Sequence, residues 1–157
     1  MEYQCKVKEQ SAQPVLSVRT HAAVQDLPAL FGKIYGAIMQ YLAELGEQPA
    51  GMPFTAYHNM DMQNLDLEIG FPVARKLAGK GEIQPSEFPG GKLASVMHVG
   101  PYDQLGAAYD ALGKWVQAQG YVPTGAMYEL YYDGPETPPQ ETRTEILMPV
   151  GGGALAG

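Results

Sequence analysis

In the stretch GAMYELYYDG, residues 125–134, one carboxylate, Glu129, stands among Met127, Tyr128, Leu130, Tyr131 and Tyr132. Along an extended chain alternate side chains point to opposite faces. Met127, Glu129 and Tyr131 therefore share one face, and Tyr128, Leu130 and Tyr132 the other. Either face reads as at least half-buried, and a carboxylate in such company is costly unless a cation or a hydrogen-bond donor meets it. One chemistry suits it: a counter-charge for a cation arriving from outside. The plainer alternative is a solvent-facing glutamate, or one paired with a structural arginine such as Arg143.

Other residue types that could do chemistry are less well placed. His21, His58 and His98 are scattered and lack the spacing of a metal site. The Gly pair of GGKLAS, residues 90–95, has none of the rest of a phosphate loop and reads as a turn. Ser86 and Ser95 lack a nucleophile-elbow context, and Cys5 has no positioned histidine. Neither a metal nor a cofactor is expected.

A net charge of −7, from 10 basic and 17 acidic residues, repels phosphates. Nucleic acid and anionic membrane surfaces are thus poor partners, and cations better ones. A single cysteine allows no internal disulfide and suits a reducing compartment. The first ten residues carry charges where a signal peptide needs an apolar run, and no apolar stretch reaches membrane-spanning length. A cytoplasmic protein is expected.

The elements that must carry Glu129 are written twice. Gly46 and Gly120 lie 74 residues apart, and the same offset relates Gly32 to Gly106, Tyr35 to Tyr109, Thr55 to Glu129 and Tyr57 to Tyr131. This pattern predicts two pseudo-repeats, 14–73 and 92–150, joined by a connector over 74–91 and followed by a flexible tail over 151–157. Each repeat opens with an extended apolar run, 14–20 or 92–99. An amphipathic helix follows, with Leu27, Leu30, Ile34, Ile38, Tyr41 and Leu42 on one stripe, or Leu105, Tyr109, Leu112, Trp115 and Val116 on the other. Gly46 and Gly120 sit where left-handed helix ends belong. Two strands close each repeat: 53–59 with 65–71, and 126–132 with 143–149. The expected fold class is α+β: duplicated strand–helix–strand–strand modules, an antiparallel sheet with two packed helices, and a central cleft. Gly32 and Gly106, inside the helices, predict a close backbone approach.

Within that frame Glu129 replaces Thr55 in one copy only, at the floor of an aromatic cleft. Tyr57 and Tyr131, two residues on along the same strand faces, are candidate cleft-lining groups, and Met97 on the 92–99 run is another. Tyr35, Tyr41, Tyr109 and Trp115 read as core.

The segment HVGPYDQLGAAYDALGKWVQAQGYVPTGAMYELYY followed by TEILMPV, with AYHNMDMQNLDLEIGFPV in the first half, resembles the GyrI-like family, the effector-binding domain of bacterial transcription activators. The resemblance covers residues 2–150, so that 1–150 reads as one GyrI-like domain. Its most specific parts are H-x-G-P-Y and the glutamate of the Y-E-x-Y strand. It implies Glu129 as the acidic ligand-binding residue, with Tyr102 and Tyr131 as cleft aromatics. It also implies an apolar, often cationic small-molecule ligand, with two alternatives: hydrolysis of cyclopropane-bearing genotoxic electrophiles, with Glu129 catalytic, or modulation of a protein partner such as DNA gyrase. No helix-turn-helix accompanies the domain, so direct transcriptional regulation is not expected, and YYDGPE departs from the family's usual turn after the glutamate strand. A cation about 4 Å from a carboxylate gains on the order of 4 kcal/mol at an effective dielectric near 20. With aromatic faces adding about 0.5–2 kcal/mol each, micromolar affinity is the expectation after desolvation and ordering costs.

Overall fold

The computed structural model of the protein describes residues 3–134 and 136–152. Two compact units divide it, one of Ala12–Pro89 and the other of Met1–Ser11 with Gly90–Gly157. Both are α+β, with strands paired antiparallel and one long helix against the sheet.

In the first of these, β2 (Gln13–Ala22) leads through a short 3-10 turn at Val24–Asp26 into α1 (Leu27–Leu45). β3 (Phe54–Tyr57), β4 (Leu65–Pro72) and β5 (Gln84–Phe88) follow. Strand β4 lies between β3 and β2, and β5 lines the other side of β2. Pro28 in the first turn of α1 loses no hydrogen bond, because the leading N–H groups of a helix have no partner within it. At the other end Gly46, at φ 71°, lets the chain turn back: its N–H meets Ala43 O and the Glu47 N–H meets Leu42 O. Ile34, Ile38, Tyr41 and Leu42 face Leu16, Val18, Leu67 and Ile69 in one core.

The other unit holds β1 (Cys5–Gln10), β6 (Gly91–Val99), a 3-10 turn at Tyr102–Gln104, α2 (Leu105–Ala118), β7 (Tyr121–Pro123), β8 (Met127–Tyr131) and β9 (Arg143–Gly152). Strand β6 runs between β1 and β9, and β9 pairs with both β8 and β7. Leu105, Ala108, Leu112 and Val116 pack on Ala94, Val96, Ile146 and Met148. Gly120, at φ 77°, follows the helix end.

Several expectations shift. The connector over 74–91 contains β5, and the N-terminal segment supplies β1. Gly151 and Gly152, expected in the tail, complete β9 opposite Val122 and Tyr121; residues 153–157 lie outside the described residues. Gly32 and Gly106 were expected at close backbone approaches, yet a Cβ on either would meet nothing within 4 Å. The tight approach is at Gly70 on β4, where a Cβ would lie 2.3 Å from the Leu16 carbonyl oxygen and 2.7 Å from Ser17 Cβ. Among the described residues no helix is long and apolar enough to cross a membrane.

Candidate functional site

The register of β8 on β9 decides where Glu129 points. Glu129 stands opposite Ile146, and Ile146 belongs to the core under α2. The carboxylate therefore enters the helix-covered face of the sheet, where it is 6% exposed. Tyr109 comes down from α2, four residues after Leu105 and three before Leu112, on the stripe that packs against the strands. Its hydroxyl donates to Glu129 Oε2, and the Tyr131 hydroxyl donates to Oε1 at 2.9 Å. Tyr102, 52% exposed, sets its ring edge-on to Tyr131 with centroids 6.0 Å apart. One carboxylate thus sits behind three phenols.

Among the described residues no Lys, Arg or His forms an ion pair with Glu129. Arg143, the structural partner conceivable from sequence, is held by Asp133 at 3.0 Å. Burial pushes the Glu129 carboxyl above the usual carboxylate range, and the hydroxyls of Tyr109 and Tyr131 offset only part of that. The Tyr102 phenol is likewise raised, first by burial and then by the charges of Asp133 and Glu129.

A second buried carboxylate in the same unit has the opposite character. Glu145, 3% exposed, lies on the far face of the sheet. It accepts from Lys8 Nζ at 2.7 Å, Ser95 Oγ at 2.5 Å and Tyr132 Oη at 2.5 Å. Burial works to raise its carboxyl, but these donors win and hold it below the ordinary value. Tyr132 answers in kind: burial, then its bond to Glu145, pushes its phenol up to about 12. Glu145 already has its cation. Glu129 has only neutral donors.

Sequence-predicted residues divide accordingly. Glu129, Tyr131 and Tyr102 come together in one cluster. Met97 does not join them: it stands opposite Glu145, on the other face of the sheet from Glu129. Tyr57 belongs to the Ala12–Pro89 unit, where it is half-buried against that unit's own core. Tyr109, read as core, is the residue sequence reasoning missed. A signal for it existed. At the offset of 74, Tyr109 and Glu129 correspond to Tyr35 and Thr55, and the Tyr35 hydroxyl lies 3.2 Å from Thr55 Oγ1 while donating to Phe54 O at 2.6 Å.

Thr144 on β9 lies opposite both Tyr131 and His98, 0% exposed, and its hydroxyl has no hydrogen-bond partner among the described residues. A buried, unpaired hydroxyl costs about 1–3 kcal/mol. Thr144→Val, which swaps the hydroxyl for a methyl, is expected to raise the melting temperature by about 2–4 °C for each kcal/mol recovered. A melt that falls instead would show that the hydroxyl is satisfied in solution.

Among the described residues no group of three or more His, Cys, Asp or Glu side chains is arranged to hold a metal. Burial pushes the Cys5 thiol up, away from the reactive thiolate.

The chain is similar to known proteins over nearly its whole length. No curated protein sequence matches it significantly. Among solved structures, the EcmrR C-terminal domain is 29% identical with a TM-score of 0.81, covering 96% of this chain and 99% of that one. EcmrR in its complex with DNA is 30% identical with a TM-score of 0.82; the match covers 94% of this chain but spans only 57% of the EcmrR chain. SAV2435, solved bound to tetraphenylphosphonium, shares the fold at 18% identity, with a TM-score of 0.66 and coverage of 97% and 95%. The profile of the GyrI-like small molecule binding domain matches residues 3–151, and the chain belongs to that family.

Proposed function

We propose that this protein binds apolar, often cationic small molecules at Glu129 and its surrounding tyrosines, and serves to sense or sequester them. The observation that carries this reading is a buried carboxylate served by two neutral hydroxyls and no cationic side chain among the described residues. A ligand cation would supply the missing charge, and the faces of Tyr102 and Tyr131 would add cation–π attraction. Tetraphenylphosphonium, bound by a relative of the same fold, has this chemistry: a positive charge wrapped in aromatic rings.

Calorimetric titration with tetraphenylphosphonium and with tetraphenylborate, ions of one shape and opposite charge, tests the reading. Micromolar binding of the cation, with the anion weaker by at least about tenfold, is expected from a carboxylate–cation attraction of this order. Equal affinities would overturn charge recognition.

One observation favours a second reading, hydrolysis of an electrophilic ligand. A general base works best with a pKa near the working pH, and burial moves Glu129 in that direction. Tyr109 or Tyr131 could then steady the carboxylate as it accepts a proton from water.

A further inference from the structure

We propose that His98 is a positioning residue for the ligand site: held by Tyr3, it fixes the Gly100–Pro101 turn that sets Tyr102 against Tyr131. The proposal rests on the reading of Glu129 and its tyrosines as the ligand site.

His98, next to last in β6, is 2% exposed, and both its ring nitrogens are engaged. Nε2 lies 3.1 Å from the Pro101 carbonyl oxygen, and Nδ1 lies 2.9 Å from the Tyr3 hydroxyl. A carbonyl can only accept, so Nε2 carries the hydrogen, and in the neutral ring Nδ1 accepts from Tyr3. The Tyr3 ring also stacks on the imidazole, with centroids 6.0 Å apart and planes 30° from parallel. Gly100, between His98 and Pro101, sits at φ 140°, and a Cβ there would come within 3.4 Å of His98 Nε2. Its N–H donates to Thr142 O at 2.8 Å. The turn is thereby tied at two successive residues, Gly100 to Thr142 and Pro101 to His98.

Tyr102 is the next residue. It is 52% exposed, its ring meets Tyr131, and the turn is what delivers it there. Tyr131 in turn bonds Glu129. Counted back from the matching 3-10 turns at Val24 and Tyr102, the places of His98, Gly100 and Pro101 are taken in the other unit by Thr20, Ala22 and Ala23. The pinned turn and the buried carboxylate occur in the same unit. That coincidence is expected if the turn serves the site, and unexplained if His98 only fills core.

A double-mutant cycle separates the two. Asn at 98 keeps an acceptor near Nδ1 for Tyr3 but cannot reach Pro101; Gln places an amide N–H near Nε2 and should rescue. His98→Asn and Tyr102→Ala should each weaken tetraphenylphosphonium binding by about three- to tenfold, the loss of one aromatic face. In the Tyr102→Ala background His98→Asn should cost nothing further. The same loss in both backgrounds, or no rescue by His98→Gln, would overturn the proposal. A readout without ligand guards against a failure of the binding reading or of the His98→Asn fold. In fluorotyrosine-labelled protein, the Tyr102 signal, assigned with Tyr102→Phe, should shift or broaden in Tyr3→Phe and His98→Asn, while the Tyr35 and Tyr41 signals stay. A Tyr102 signal unmoved by both variants would overturn the proposal whatever the ligand does. Loss of tetraphenylphosphonium binding by the wild type alone would overturn only the reading of the site.

Discussion

Glu129→Gln is expected to weaken tetraphenylphosphonium binding by about 1.5–3 kcal/mol, roughly ten- to 150-fold, while tetraphenylborate binding holds or improves. The amide is nearly isosteric and can still accept from Tyr109 or Tyr131, so the fold should survive. The pH dependence follows from the raised Glu129 carboxyl. Affinity for the cation should climb as pH rises and the proton leaves, and the climb should vanish in the variant. Stability runs the other way. A carboxyl raised on folding contributes stability that is complete below its unfolded value and lost as pH rises through its folded value. Glutamine does not titrate, so the variant should be at least as stable as wild type near neutral pH. Calorimetry with both ions at several pH values, beside thermal melts, reads all of this. Equal losses for the two ions would mean that Glu129 shapes the site without reading charge. If the chain hydrolyses a cyclopropane-bearing electrophile, the same variant should lose turnover by about a hundredfold or more. Product forming as fast as with wild type would leave Glu129 without a catalytic role.

Lys8→Met should cost about 3 kcal/mol of stability, lowering the melting temperature by about 6–12 °C. Removing one partner of a buried pair strands the other, and Glu145 is almost wholly enclosed. The figure sits at the low end for such pairs because the Lys8 side chain is itself 35% exposed. Burial would raise Glu145, but Lys8, Ser95 and Tyr132 together hold it low. A carboxyl lowered on folding contributes stability present above its unfolded value and lost as pH falls through its folded value. With Lys8 gone, Glu145 loses its strongest donor, and the acid side of the stability profile should move to higher pH. Lys8→Arg should keep most of the wild-type profile. A Lys8→Met melt equal to wild type across pH 4–8, on the order of the usual carboxylate range and above, would show that the ion pair contributes nothing.

How far these features can be read from sequence depends on what each one needs. Glu129 is legible because a charge in a tyrosine-rich strand violates local pattern, and α1 and α2 because their apolar stripes recur at three and four residues. Tyr109 is not, because a tyrosine on an apolar stripe looks like core whether or not its hydroxyl ends on a carboxylate. Met97 fails through parity. Val96, not Met97, aligns through Ile146 with Glu129, and a shift of one residue moves a side chain to the other face. Strand β1, CKVKEQ, carries three charges in six residues and lacks an apolar run. Strand β5 carries Pro85, which strands tolerate at an edge but which argues against a strand when only sequence is in hand.

The placement of β1 also has a consequence for how the chain is made. Its partner β6 comes some eighty to ninety residues later: Cys5 waits for Val96, and Lys8 waits for Glu145. The Ala12–Pro89 unit is continuous and leaves the ribosome whole, so it can fold while synthesis continues. The unit that carries Glu129 closes only when β9 has emerged to lie between β6 and β8. The acidic site is thus acquired after the Ala12–Pro89 unit is complete. A product stalled or clipped ahead of Arg143 would keep one finished half and lack β9, the strand whose Ile146 stands opposite Glu129.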